Sequence, residues 1–157
     1  MSDQLIINIA DATIYIPISI IKIWEKFRQI GSQSNEACGI LIGNQLQDTQ
    51  VYELEFITTP QKQDIRSKYY FVMKDPFHQQ FLEQKYKESD GTSIYLGTWH
   101  SHPQYIPIPS SIDEKDWQQC IERNFNRRLF FIIVGIQEVK VYSFKDSHLH
   151  ISTVLRF

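Results

Sequence analysis

The sequence predicts an α+β (mixed α/β) fold, and three observations carry that reading. Short apolar runs rich in Ile, Val, Phe and Tyr recur along the chain, as strands do. Three segments between them carry their apolar residues at helical spacing. The chain has 157 residues, 42% hydrophobic and 22% charged, enough to bury roughly 70% of its unfolded surface without staples. No linker, repeat or low-complexity stretch interrupts it, so one domain over residues 1–157 is expected.

The elements follow in order. Leu5–Ile16 reads as a strand pair or one bent strand. Ser19–Gln29 reads as a helix, because Ile20, Ile23, Trp24 and Phe27 share one face, and Ser19 is placed to cap it. After the polar loop Gly31–Asn35, Glu36–Ile42 reads as a buried strand ending in a turn at Gly43–Asn44. Val51–Thr59 and Lys68–Met73 read as two further strands. Asp75–Pro76 is a helix start, and Phe77, Phe81 and Tyr86 give that helix an inner stripe. Ser93–His102 is a strand. Pro103–Pro109 holds three of the six prolines and reads as a stiff, irregular loop. A helix begins at Ser110 or Ser111, with Trp117, Cys120 and Ile121 inward. Leu129–Ile136 is a strongly apolar strand, and Val139–Phe144 with Leu149–Val154 reads as a closing hairpin.

Composition excludes several classes. Sixteen Lys and Arg against eighteen Asp and Glu give a net charge of −2, with no field favouring nucleic acid or an anionic membrane. Two cysteines, Cys38 and Cys120, make no disulfide framework, which points to a reducing cytoplasm. No secretory signal is visible. The Ile-rich stretch Leu5–Ile23 is broken by Asn8, Asp11, Thr13, Pro17 and Lys22, short of the roughly 18 apolar residues of a membrane span.

Chemistry concentrates in Trp99-His100-Ser101-His102-Pro103 and Ser110-Ser111-Ile112-Asp113. His100 and His102 lie two apart at a strand end, so both imidazoles face one side. Asp113 falls in the first turn of the next helix. Two imidazoles and a carboxylate are a donor set that zinc accepts in catalytic sites, leaving a fourth position open. Glu36, a carboxylate entering an apolar strand, is the candidate general base, and Ser110 the candidate donor to a developing oxyanion.

Glu36 followed by His100-Ser101-His102, seven residues, Ser110, two residues and Asp113 resembles the signature of the JAMM (MPN+) metalloproteases, E then H-[ST]-H-x7-S-x2-D, at every position. Gly97-Thr98-Trp99, Pro109-Ser110-Ser111 and Cys38–Gly43 are also similar to the family, and the resemblance spans about Ser19–Phe144. It implies an MPN-like central mixed β-sheet flanked by helices. It also implies a zinc isopeptidase with one Zn²⁺ per chain held by His100, His102 and Asp113, Glu36 as acid and base, and Ser110 as oxyanion helper. The chain is most similar to compact bacterial members, including those of cyclic-oligonucleotide (CBASS) anti-phage operons. There the resemblance implies a deconjugase that frees a nucleotidyltransferase joined to other proteins by E1–E2-like machinery. Its partners would be the C-terminal tail of a ubiquitin-like protein or of that enzyme. The tail is expected to pair with a strand near the zinc, between the strand leading from Glu36 and the Pro103–Pro109 loop.

Plainer readings stand beside these. Ser111-x-x-Glu114 fits a capping box. His148-Leu149-His150 reads as the polar face of an exposed strand, and His78 as a surface residue. Cys38 reads as a small buried hydrophobe, with a papain-like Cys38–His pair as the alternative. Arg123–Arg128 reads as a solvated basic turn. The functional alternatives are a protease that processes a sulfur-carrier or ubiquitin-like protein, a non-catalytic MPN scaffold, and a DNA-repair-linked relative. The scaffold would have lost ligands, and none is lost here; the neutral charge opposes the last.

Overall fold

The structure, a computed structural model, describes residues 3–157. β1 (Gln4–Ile9) and β2 (Ala12–Pro17) make an antiparallel hairpin, so the Leu5–Ile16 segment is a strand pair. Helix α1 (Ile18–Lys26) follows at once and buries Ile20, Ile21 and Trp24. Ser19 does not cap it. The helix starts one residue earlier, behind Pro17, and the Ile18 amide donates to the Asp3 carbonyl at 2.9 Å instead.

β3 (Cys38–Gln45) and β4 (Val51–Ile57) are antiparallel. Gly43–Asn44 is not the turn between them, because Gly43 and Asn44 pair with Leu54 and Glu53 inside the ladder. A Cβ at Gly43 would overlap the Glu53 carbonyl, so this glycine serves close approach of two strands, at a bulge.

Lys68–Met73 is not a strand of the main sheet. Only Phe71–Val72 (β6) is extended, paired with Ile65–Arg66 (β5) in a separate two-stranded ribbon. Helix α2 (Phe77–Glu88) starts where expected, with Asp75 Oδ1 accepting from the Phe77 amide at 2.9 Å. Its expected inner stripe is wrong: Tyr86 is 52% exposed, Phe77 is also exposed, and the buried residue is His78. The helix rests on the sheet through a polar anchor, and Phe81 meets Phe56 edge-on at 6.2 Å.

β7 (Ile94–Ser101), helix α3 (Ser111–Arg123) and β8 (Phe130–Val134) form a crossover unit with β7 and β8 parallel. β9 (Glu138–Lys145) and β10 (His148–Arg156) close the chain as a hairpin. Asp146 and Ser147 both take positive φ in its two-residue turn, matching the twist of the strands.

The main sheet runs β1-β2-β4-β3-β7-β8-β9-β10, mixed, with β2–β4 and β7–β8 parallel. It curls until its edges meet, where Ser152 Oγ donates to the Asn8 carbonyl at 2.9 Å. Each face has its own core. Trp24, Trp99, Phe130, Ile132 and Val134 pack on the α1 side; Trp117, Cys120, Phe131, Ile133 and Tyr142 pack on the α3 side. β8 is therefore buried on both faces, which explains its unbroken apolar run. Alternation along β7 sends Trp99 and Ser101 toward α1, and His100 toward α3, where its ring lies 6.5 Å from that of Trp117.

Candidate metal centre

The centre forms where the C-terminal end of β7 meets the N-terminus of α3. His100 and His102 share a face, and their Nε2 atoms lie 3.0 Å apart. Asp113 reaches both: Oδ1 is 3.3 Å from His100 Nε2 and Oδ2 is 3.1 Å from His102 Nε2. Glu36 approaches from just before β3, with Oε1 3.5 Å from His102 Nε2. The sequence places Glu36 sixty-odd residues from the histidines. Strand pairing closes that gap, since Cys38 lies opposite His100 and Ala37 exchanges hydrogen bonds with Ser101.

Asp113 is held by a capping box, built differently from the one expected. Ser110, not Ser111, is the N-cap: its Oγ accepts from the Asp113 amide at 3.1 Å, and Asp113 Oδ2 accepts from the Ser110 amide at 2.9 Å. With Ser110 as the N-cap, Asp113 rather than Glu114 stands at the third helical position, and its carboxylate faces the imidazoles. One Asp thus closes the helix and completes the cluster.

Electrostatics separate the two carboxylates. Burial raises both, but hydrogen bonds from His100 and His102 outweigh it at Asp113 and hold that group far below its usual range. Glu36 is 2% exposed, and burial pushes its carboxyl up to about 7, with the Asp113 charge adding to the rise and His102 opposing it. Burial lowers His100. At His102 the Asp113 contact overcomes burial and raises it.

The donors fit a tetrahedral cation. Metal–nitrogen bonds of about 2.0–2.1 Å imply donor–donor edges of about 3.3 Å. The His100, His102 and Asp113 atoms stand 3.0–3.3 Å apart. Two ring nitrogens facing each other beside a carboxylate leave few protons to share. Glu36 Oε2 is buried and has no hydrogen-bond partner among the described residues. His100, His102 and Glu36 also have donor atoms within 4.8 Å of one another. Asp113 touches both imidazoles, at 3.3 and 3.1 Å, whereas Glu36 touches one at 3.5 Å.

Gln104, which the sequence did not single out, supports the site. Its Oε1 lies 3.1 Å from His102 Nδ1 and accepts from the Ile108 amide at 3.0 Å. With the Nδ1 proton directed to Gln104, the Nε2 lone pair of His102 points into the cluster. The only local signal was a Gln two residues past a histidine.

Two hollows meet at Glu36. One, of about 390 Å³, runs between Tyr70–Met73 and the α3 face carrying Ile112, Asp116 and Arg123. The other, of about 350 Å³, is bordered by Tyr69, Gln104, Ile108 and Ser110. The Pro103–Pro109 loop therefore borders the site as expected. The strand leading from Glu36 does not offer a free edge: Glu36 N donates to the Ser67 carbonyl at 2.7 Å, Glu36 O accepts from Arg66 Nε at 2.7 Å, and Ala37 is bonded to Ser101. The ribbon β5–β6 lies there instead.

A sequence profile described as prokaryotic homologs of the JAB domain matches residues 22–146. The chain belongs to this JAB family. Among curated relatives, a "CD-NTase/cGAS isopeptidase" of Escherichia coli (strain TW11681) is 30% identical over 139 residues, 88% of this chain and 86% of the relative. Proteins of the same name from Vibrio cholerae and Pseudomonas aeruginosa are each 32% identical, covering 69% and 71% of this chain and 67% and 72% of their own. The JAB match accords with the mixed sheet and three helices, and with hydrolase chemistry of the isopeptidase type.

Other candidates separate from this centre. Burial pushes the Cys38 thiol up to about 12, so it is no thiolate nucleophile. His148 and His150 join no metal-competent cluster among the described residues. His78 is buried, not on the surface: Nδ1 lies 2.6 Å from Thr58 Oγ1 and Nε2 2.7 Å from Asp64 Oδ2. In the basic run, Arg128 donates to Ser143 Oγ and pairs with Asp11, so it is structural.

Proposed function

We propose that this protein is a zinc-dependent isopeptidase that releases a cyclic-oligonucleotide synthase of the CD-NTase class from proteins to which it has been conjugated. The observation that carries the reading is the convergence of two Nε2 atoms and one carboxylate at tetrahedral spacing beside a buried, unpartnered Glu36 oxygen. The names of the relatives supply the substrate class. In this reading His100, His102 and Asp113 hold one Zn²⁺, which supplies Lewis acidity to a carbonyl and to water.

Glu36 accepts the proton of the attacking water and passes it to the departing lysine amine. Burial favours the protonated form of this carboxyl, which suits a group that must hold a proton between water and leaving amine. Ser110, whose hydroxyl proton is free while its oxygen caps α3, donates to the developing oxyanion. The substrate's C-terminal tail lies in the groove beside Tyr70–Val72, and Phe71, whose ring sits 5.0 Å from that of His100, keeps water from that side.

Co-expression of the conjugating machinery and synthase with wild type or with Glu36→Gln tests the reading. Conjugates are expected to vanish with wild type and persist with the variant. The purified variant should keep zinc and lose at least roughly 10²-fold in turnover. His100→Ala and His102→Ala should lose both. Retained zinc in the double histidine variant, or full activity in Glu36→Gln, overturns the assignment.

A further inference from the structure

We propose that Gln29 is a positioning residue that ties the tail-binding wall of the groove to the His100–Ser101–His102 strand. Gln29 follows α1, outside every motif above, yet it is 2% exposed. A buried carboxamide needs all its hydrogen-bond partners, and those of Gln29 all belong to the surroundings of the centre. Its Oε1 accepts from Ser101 Oγ at 2.8 Å, and that hydroxyl in turn accepts from the Ala37 amide at 2.8 Å. Its Nε2 donates to the Lys68 carbonyl at 3.0 Å and, at longer range, to the Ser34 carbonyl at 3.4 Å.

One side chain therefore joins three things. Ser101 separates the two histidines. Ala37 follows Glu36. Lys68 opens the segment whose next residues, Tyr69–Met73, line the groove. The strand alternation that turns His100 and His102 toward α3 turns Ser101 the opposite way, and Gln29 meets it there. Around it, Ser67 O accepts from the Glu36 amide, Arg66 donates to the Glu36 carbonyl and pairs with Phe71, and Ser67 Oγ accepts from the Tyr70 amide at 3.2 Å, while the Tyr69 side chain is 75% exposed. The Gln29 amide is the side-chain donor that reaches the Lys68 carbonyl. Without it, this turn is tied to the strand of the histidines through Ser67, Arg66 and the Phe71 ring, which lies 5.0 Å from that of His100.

Gln29 touches neither substrate nor the reacting atoms. Its loss should weaken binding of the tail without altering proton transfer. Removing a hydrogen bond worth about 1 kcal/mol corresponds to about a fivefold rise in KM with kcat unchanged. This assignment rests on the isopeptidase reading for its kinetic arm only.

The test uses Gln29→Met, similar in size with no amide, and Gln29→Glu at alkaline pH, where the ionised carboxylate keeps the acceptor for Ser101 and loses the donor to Lys68. Hydrogen exchange over residues 67–73 and metal content are measured on both, with kinetics on the synthase conjugate. Both variants are expected to fold, keep their metal, exchange faster in that segment, and show KM raised about fivefold with kcat within about twofold. Unchanged exchange overturns the proposal. So does a fall in kcat at constant KM, or a wild-type KM in Gln29→Glu. If Gln29→Met fails to fold, Gln29→Glu decides, and failure of both shows Gln29 to be a residue of the fold rather than of the groove. If wild type cleaves no conjugate, the proposed function falls while the exchange result still decides the tie.

Discussion

Glu36 and Asp64 are both carboxylates drawn into the protein, and their surroundings move them in opposite directions. Glu36 has one imidazole at 3.5 Å and an unpartnered oxygen, so burial dominates and its proton is held more tightly. At Asp64 burial also raises the carboxyl, but the amides of Asp75 and Gln61 and the contact with His78 outweigh it, and the group sits below its ordinary range. A lowered carboxyl stabilises the fold above its unfolded pKa of about 3.9, and that stabilisation is lost as pH falls through the lower folded value. Asp64→Asn should therefore cost stability at neutral pH, and its deficit against wild type should shrink below about pH 4. Denaturant melts of both proteins from pH 7 downward check this; a deficit that stays constant would show that the carboxylate charge is irrelevant. The sequence reading placed His78 on the surface because a lone histidine in a polar helix carries no sign of a buried Thr58 and Asp64 awaiting it.

At the scale of elements, α3 joins stability to chemistry. Ser110 caps the helix through Asp113, and the same Asp113 faces both imidazoles. Ser110→Ala is expected to cost about 0.5–2 kcal/mol, the usual loss of an N-cap. It should also weaken metal binding, since the Asp113 backbone amide loses its partner. Thermal melts with and without metal separate the two effects; a variant that is destabilised yet binds metal with wild-type affinity would show that the cap does not orient the carboxylate. The helix itself was legible, because its start signal and its Trp117–Cys120 spacing are local. The β5–β6 ribbon was not. Lys68–Met73 has strand-like composition, but Tyr69 and Tyr70 are exposed and the segment pairs only with Ile65–Arg66.

For the whole molecule, the cluster joins β7, α3 and the approach to β3, so an ion bound there would cross-link segments far apart in sequence. Free zinc at 100 times its dissociation constant should add about 2.7 kcal/mol to the folded state. For a domain of this size that is a rise in Tm of roughly 5–10 °C. Chelation should reverse the shift, and His100→Ala should abolish it. An equal shift in that variant would place the stabilising ion elsewhere.

The sequence by itself determined what depends on local geometry. Strand alternation put His100 and His102 on one face, the interval from His102 to Asp113 delivered a carboxylate to the next helix, and local periodicity marked the helices and the hairpins. Its spacing from Glu36 through Asp113 also resembled one family, to which the chain belongs. Only the tertiary structure decided which distant residues complete the surroundings. Pairing of β3 with β7 brings Glu36 to 3.5 Å from His102, the wall at Tyr69–Met73 faces α3, and Gln29, Gln104 and His78 find their buried partners. The physical reason is that a hydrogen bond between residues 72 positions apart, such as Ser101 to Gln29, leaves no trace in the periodicity of either segment. It exists because buried polar groups, cut off from water, must find their partners within the fold.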